Sequence, residues 1–114
     1  MLFEWNPLMD WNPVVHILDQ LSDGTHSALE LSYMQSKYEG ASFLHALFFL
    51  ADRGLIKLSA GRGPFQPIAT ADWQMRLQSA FSGGAVDPDI MTNTALDLSE
   101  AGERVLHLFK IGHP

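Results

Sequence analysis

The sequence predicts one α+β domain that is mostly helical with a small antiparallel sheet, and three observations support this prediction. The chain has 114 residues, of which 46% are hydrophobic, so it supplies one core and not two. Five segments have the apolar spacing or the start and stop signals of helices. Two further segments have strand composition, and a long insertion separates them. We therefore expect a single domain over residues 1–114, with an N-terminal arm at 1–12 and an insertion at 61–93.

The first third of the chain predicts two helices joined by a short polar bridge. An Asn-Pro pair, which is typical of a helix start, opens a helix over residues 13–22. Its apolar stripe has the i, i+3, i+4, i+7 spacing of an amphipathic helix and comprises Val14, Ile17, Leu18 and Leu21. Residues 25–27 are suited to a single strand pairing, and Ser27 is expected to cap a short helix over 28–34.

A third helix and a strand are predicted next to each other. The helix covers residues 41–53, and Gly54 follows it as a residue that adopts a left-handed conformation at a helix end. The predicted inner face comprises Phe43, Leu44, Leu47, Leu50 and Ala51. The predicted outer face comprises Ser42, His45, Ala46, Phe49, Asp52 and Arg53. Residues 55–59 then have strand composition.

The last part of the chain contains the insertion, a second strand and a final helix. A structureless insertion of this length is uncommon in a small domain, so we expect an ordered one with a helix over 71–81. Residues 87–89, Asp-Pro-Asp, predict a turn. Residues 94–98 alternate between polar and apolar side chains, as a half-buried strand does. Ser99 opens the final helix, and the acidic side chains in its first turn favour the positive end of the helix dipole.

The charge of the chain is unevenly distributed. Seven Lys and Arg stand against 13 Asp and Glu, which gives a net charge of −6. Residues 1–36 contain no Lys or Arg, whereas residues 37–76 contain five of them and three acidic side chains. A general polyanion binder needs clustered cations, so this balance argues against one. Any anion-facing surface is expected in the segment 37–76.

The residues that usually carry catalysis or metal binding are absent or unsuitably spaced. The chain has no Cys, which excludes disulfides, thiolate metal sites and Cys nucleophiles. Its five His lack the local spacing of metal ligands, although His16 and His107 would approach each other if the first and last helices packed together. No phosphate loop, nucleophile elbow or paired-carboxylate motif is present. We therefore predict no enzymatic activity, no metal and no cofactor.

The sequence also lacks the patterns of a membrane or exported protein. No apolar run approaches the roughly 18 to 20 residues that cross a bilayer. No positive charge precedes the apolar residues at the start, so this segment does not have the pattern of a signal peptide. We expect a cytoplasmic protein with no membrane contact.

Three stretches resemble the winged helix-turn-helix domain of bacterial MarR-like and PadR-like transcriptional regulators. The opening stretch is ILDQLSDG at 17–24, followed by Glu30-Leu31. LADRGLI at 50–56 is similar to the end of their recognition helix where it enters the wing. LSEAGERVL at 98–106 is similar to the motif that follows their wing. The resemblance implies a winged helix-turn-helix with an inserted helix between the two strands of the wing.

In the families that the chain resembles, the third helix enters the major groove and the last helix supports dimerisation. The resemblance therefore implies a dimeric regulator that binds double-stranded DNA, weakly and with strong salt dependence because its cations are few. The residues expected to contact DNA are Lys37, Ser42, His45, Ala46, Phe49, Arg53, Lys57 and Arg62. The residues expected at the homodimer interface are Trp5, Trp11, Leu106 and Phe109.

The alternative function is a protein–protein interaction module, an adaptor or inhibitor that does not bind DNA. Phe49 on the outer face is expected to be covered by the insertion, covered by a partner protein, or placed against DNA. The insertion is either a satellite core or a partner-recognition lobe, since it carries aromatic side chains that are frequent at interface centres. The N-terminal arm either packs on the last helix or contacts a second protomer. The residues expected to contact a protein partner are Phe49, Phe65, Trp73 and Arg76.

Overall fold

The computed structural model describes residues 11–38, 42–61, 64–81 and 88–112 of the chain. Within these ranges it contains α1 (Trp11–Leu21), β1 (His26–Ser27), α2 (Ala28–Gln35), α3 (Ser42–Asp52), β2 (Ile56–Ala60), β3 (Gln66–Pro67), a 3₁₀ turn (Thr70–Asp72), α4 (Trp73–Phe81), α5 (Pro88–Thr92), β4 (Thr94–Leu98) and α6 (Glu100–Gly112). The predicted fold class is confirmed in its coarse form, since the described residues are mostly helical with a small antiparallel sheet.

The four strands found among the described residues form one antiparallel sheet in the order β1-β4-β2-β3. β4 pairs along its whole length with β2, beginning with Leu98 opposite Ile56. β1 pairs with the other edge of β4 and places His26 opposite Leu96, which confirms the strand pairing expected at 25–27. The two-residue β3 continues the sheet beyond β2.

The insertion follows β2, adds the short edge strand β3 to the sheet, and then forms helices before the chain re-enters the sheet at β4. Its two ends meet, because the Gly61 amide donates to the Asn93 carbonyl at 3.0 Å. The helix predicted over 71–81 is confirmed, with the 3₁₀ turn leading into α4. The turn predicted at 87–89 is wrong at Pro88 and Asp89, which begin α5, and Asp87 lies outside the described residues. Proline suits the first turn of a helix, since it has no N–H to leave unpaired there.

A left-handed glycine at the end of α3 turns the chain into β2. Gly54 has a φ of +68°, and the Leu55 amide donates to the Leu50 carbonyl at 2.9 Å in the pattern of a Schellman motif. Ser99 fastens this junction to the start of α6. Its hydroxyl donates to the Gly54 carbonyl at 2.6 Å and accepts from the Gly102 amide at 3.0 Å. The two predicted helix signals, Gly54 and Ser99, are therefore in contact.

The core is one continuous cluster to which α1, α2, α3, α4 and α6 contribute together with the sheet. The apolar stripe predicted in α1 is confirmed, since its four members are at most 1% exposed. The inner face of α3 needs a correction, because Ala46, expected outside, is fully buried and Leu44, expected inside, is half-buried. α3 packs between α1 and α4, so its buried arc is wider than a single stripe and includes Ala46.

Candidate functional site

The outer face of α3 presents one continuous stripe of side chains. His45, Phe48, Phe49 and Asp52 follow the i, i+3, i+4, i+7 spacing, so they lie along one side of the helix. His45 and Asp52 at the two ends of the stripe are exposed, and the two phenyl rings between them are half-buried. The stripe therefore has a polar group at each end and aromatic surface in the middle.

This stripe is one wall of a groove with a volume of about 730 Å³, which we call the α3–α4 groove. The second wall belongs to the insertion and comprises Thr70, Ala71, Trp73, Gln74 and Leu77. Among the described lining residues, Asp52 supplies the one carboxylate and there is no Lys or Arg. Clefts of this size with mainly apolar walls and a few polar groups are typical of binding sites.

Hydrogen bonds fix the insertion wall to the rest of the domain. Arg76 Nε donates to Thr94 Oγ1 at 2.7 Å, and this fully buried hydroxyl donates to the Ile90 carbonyl at 2.6 Å. At the end of α4, Gln35 Nε2 donates to the Phe81 carbonyl at 2.8 Å. These bonds join α4 to β4, α5 and α2. The insertion wall of the groove is therefore joined to the rest of the domain by its own hydrogen bonds.

Phe49 is covered from two sides by the chain itself. The Trp11 ring meets it edge-on, with the ring centroids 5.3 Å apart, and the Arg53 guanidinium lies 4.1 Å from its centre. Its remaining surface lines the α3–α4 groove. Phe49 is thus covered by its own chain, as one of the expected alternatives had it. The ring that covers it belongs to α1, however, and not to the insertion.

The described part of the N-terminal arm packs on α6. The Trp11 and Phe109 ring centroids lie 6.2 Å apart within the same chain. Residues 1–10 lie outside the described residues, and with them Trp5. Leu106, expected at a dimer interface, is 5% exposed and belongs to the core of its own chain. That assignment is corrected, because a side chain buried in its own domain offers almost no surface to a second protomer.

The residues expected to contact DNA differ in their exposure and in the charged groups beside them. The prediction that Ala46 contacts DNA is wrong, because a fully buried methyl group cannot reach a base edge. Lys57 is exposed but lies opposite Asp97 in the β2–β4 pair. An Arg53 guanidinium nitrogen lies 4.0 Å from a carboxylate oxygen of Asp52. The other members are the exposed Lys37 and His45, the half-buried Ser42 and Phe49, and Arg62, which lies outside the described residues.

The residues expected to contact a protein partner have different positions. Phe49 and Trp73 line the α3–α4 groove from opposite walls. Phe65 is 45% exposed and precedes β3, away from the groove lining. Arg76 is turned inward to its hydrogen bond with Thr94, so it acts as an anchor of α4 and not as a groove residue. Two of the four residues expected to contact a protein partner therefore line the groove.

Two of the described histidines have local partners. His16 Nδ1 lies 2.6 Å from the Tyr38 hydroxyl, so it pairs with a residue shortly after α2 and not with His107. His26 Nδ1 donates to the Gly24 carbonyl at 2.9 Å. Across the described ranges, no group of three His, Asp or Glu is placed to hold a metal ion. Those ranges also contain no helix with the length and apolar character to span a bilayer.

The groove itself was not predicted from the sequence, although three of its α3 residues were assigned to the outer face. The available signal was the pair Phe48-Phe49, since two neighbouring rings on a helix cannot both point to the centre of one core. The position of the opposite wall depends on how the insertion docks, which no local pattern reports. Family models, curated proteins and solved structures were each compared with the chain, and none of them matches.

Proposed function

We propose that the chain is a protein-interaction module that binds an apolar segment of another protein in the α3–α4 groove. The observation that carries the proposal is the second wall: the aromatic stripe of α3 faces Trp73 across a mainly apolar cleft and does not project alone into solvent. A peptide or amphipathic helix docks in such a cleft by inserting a few large side chains. The groove volume of about 730 Å³ has room for two or three of them.

The groove walls suit an apolar ligand. Phe48 and Trp73 are half-buried, so each ring offers remaining apolar surface to a ligand, whereas Leu77 is fully buried in the core. Removing apolar surface from water on binding contributes about 25 cal/mol per Å² to the binding free energy. Aromatic residues are also enriched at the energetic centres of interfaces because they present a large contact area with few rotatable bonds.

The charges near α3 support a protein ligand over a phosphate backbone. Asp52 lies in the groove, Arg53 lies over the Phe49 ring with the Asp52 carboxylate 4.0 Å away, and the chain carries a net charge of −6. A DNA phosphate approaching this face would meet a carboxylate before it met an unshielded cation. Phosphate contacts supply most of the affinity of non-specific DNA binding, and they require such cations.

Selection from a phage-displayed library of random peptides tests the proposal. Peptides of roughly 16 residues are long enough for four helical turns. Ala71→Glu places a carboxylate inside the groove at an exposed position, and Ala69→Glu places the same charge at an exposed position outside its lining. We expect enriched peptides with two or more large apolar residues. They should bind wild type and Ala69→Glu equally and lose about tenfold in affinity for Ala71→Glu.

Two outcomes overturn the proposal. One is the absence of enrichment on the folded protein, with circular dichroism showing that its helices are intact. The other is a set of enriched peptides that bind Ala71→Glu as tightly as wild type, which would place their site elsewhere on the chain.

A second candidate function is the DNA-binding transcriptional regulator that the sequence resemblance implies. The arrangement of elements favours it: β1, between α1 and α2, pairs with β4, and α3 runs directly into β2. This order supports a winged helix-turn-helix, in which α3 would be the recognition helix. A fold does not assign a function by itself, so the contribution of the Lys and Arg side chains to DNA binding has to be tested separately. Such a regulator would act as a homodimer, because two protomers double the contribution of exposed residues such as Lys37.

Titration of a mixed-sequence duplex into the protein at low and moderate salt tests this second candidate. If it is correct, binding appears at about 50 mM salt, weakens steeply as salt is added, and falls more in Lys37→Glu than in Arg104→Glu. Arg104 is a suitable control because it is exposed on α6 and pairs with Glu100 there. A folded protein that binds no duplex at low salt excludes the DNA-binding function. Sedimentation velocity on the same samples tests the homodimer.

A further inference from the structure

We propose that the segment bound in the α3–α4 groove carries a basic side chain, Lys or Arg, that pairs with Asp52. This inference rests on the proposed interaction function and adds the charge of the partner and the direction in which it lies. Two independent features support it: the exposed carboxylate at one end of the groove, and the orientation of α3 along the groove.

Asp52 has a carboxylate that its own chain leaves largely uncompensated. Its side chain is 85% exposed, and its described ion-pair contact is with Arg53 at 4.0 Å, the outer limit for such a pair. The Arg53 guanidinium also lies over the face of Phe49, 4.1 Å from the ring centre, so it is shared between the ring and the carboxylate. The carboxylate is thus available to a cation that approaches from the groove.

Asp52 also lies where the fold does not favour a negative charge. It is the last residue of α3, and the C-terminal end of a helix carries partial negative charge from its unpaired carbonyls. An acidic residue there is unfavourable to the isolated helix, whereas a bound cation would be attracted by both the carboxylate and the helix end. The carboxylate therefore suits ligand recognition better than it suits the stability of α3.

The two ends of the groove differ in electrostatic character. His45 lies near the N-terminus of α3 and Asp52 at its C-terminus, seven residues or about 10 Å apart along the helix axis. The positive end of the α3 dipole is therefore at His45 and the negative end at Asp52. A segment with apolar anchors and a basic residue at one end would bind in one direction, with its cation at Asp52 and its anchors between Phe48 and Trp73.

The peptides selected on wild-type protein supply the probe for this inference. We expect them to carry a Lys or Arg at a fixed spacing from their apolar anchors. Because the pair is solvent-exposed, Asp52→Asn should weaken their binding by about two- to fivefold. Asp52→Lys should weaken it more and should bind the same peptides better once their basic residue is changed to Glu. Asp23→Asn is the control, since Asp23 is exposed, lies in the turn after α1 and does not line the groove.

The outcomes separate this inference from the proposed function. If no peptide binds, or if bound peptides are insensitive to Ala71→Glu, the interaction function itself is wrong. If peptides bind the groove but show no basic enrichment, or if Asp52→Asn and Asp23→Asn have equal effects, the groove function stands and the basic partner is wrong. Reversal of the charge preference by Asp52→Lys confirms that the partner cation lies against this carboxylate.

Discussion

Arg53 lies over the face of Phe49, with its guanidinium carbon 4.1 Å from the centre of the ring. The Trp11 ring of α1 contacts the same residue in an edge-to-face arrangement, so Phe49 lies between Trp11 and Arg53. This arrangement connects the start of α1 to the end of α3. It also keeps the Arg53 cation against the protein surface, which explains why the side chain is 35% exposed although it follows the end of a helix.

Phe49→Leu should lower the free energy of unfolding by about 1–2 kcal/mol. The substitution removes an edge-to-face ring pair and a cation–π contact, each of which contributes roughly 0.5–1 kcal/mol beyond area burial. Urea unfolding followed by circular dichroism measures the change. Phe48→Leu is the matched control, since Phe48 is half-buried on the same helix and has no ring partner among the described residues. Equal losses in the two variants would contradict the role given to Phe49.

Thr94→Val should lower the free energy of unfolding by about 1–3 kcal/mol. The Thr94 hydroxyl is fully buried, accepts from Arg76 and donates to the Ile90 carbonyl, so a methyl group in its place leaves both partners without it. Thr94→Ser keeps the hydroxyl, so it should be much closer to wild type in stability than Thr94→Val is. Because Arg76 belongs to α4, hydrogen exchange of α4 should rise in Thr94→Val and not in Thr94→Ser. Unchanged exchange would show that the bond does not hold the groove wall.

Local sequence signals predicted the scaffold of the candidate site. The α1 stripe, the Ser27 cap, the glycine after α3 and the position of β4 all depend on neighbours within a few residues. Such signals report backbone conformation directly, because caps and periodicity act over one or two helical turns. The order of the five predicted helices and of β1, β2 and β4 followed from them, whereas β3 and α5 in the insertion were not predicted. The half-buried alternation expected in β4 is wrong, because β4 lies between β1 and β2 and four of its five residues are buried.

Long-range packing decided what the sequence could not predict. Ala46 is buried because α3 has helices on two sides, and no pattern within α3 reports the second one. Arg76 is turned inward because a buried hydroxyl 18 residues later accepts its hydrogen bond. The α3–α4 groove arises from the same docking of the insertion, so its α3 residues were assigned outward without a partner wall.

Ser27→Ala should destabilise α2 by about 1 kcal/mol, which urea unfolding of the variant measures at neutral pH. The Ser27 hydroxyl accepts from the Glu30 amide at 3.2 Å, and the Glu30 carboxylate accepts from the Ser27 amide at 3.0 Å. These two bonds form a capping box, and removal of its hydroxyl has a typical cost of this size. A stability equal to that of wild type would show that the cap contributes nothing.

Glu30 should titrate below its ordinary value. The Ser27 amide, and after it the Ser27 hydroxyl, lower the pKa of the Glu30 carboxyl from 4.5. The ionised form is therefore favoured in the native state, so its contribution to stability is present above pH 4.5 and is lost as the pH falls through the lowered pKa. NMR titration of the Glu30 carboxyl measures the pKa directly. Ser27→Ala should leave much of the shift, because the backbone amide remains, and a pKa at or above 4.5 in wild type would contradict the capping geometry.

Gly102→Ala should destabilise the domain by about 3 kcal/mol, although Ala is the better helix former by about 1 kcal/mol. Gly102 lies in the first turn of α6, and a Cβ there would overlap the Leu55 carbonyl oxygen and lie 2.7 Å from Leu98 Cδ1. The carbonyl cannot move away, since it accepts the Ser99 amide at 3.0 Å. Thermal unfolding compares this variant with His107→Ala, an exposed substitution in the same helix that should change stability by no more than about 0.5 kcal/mol. A Gly102→Ala protein as stable as wild type would show that α6 does not approach the α3–β2 junction this closely.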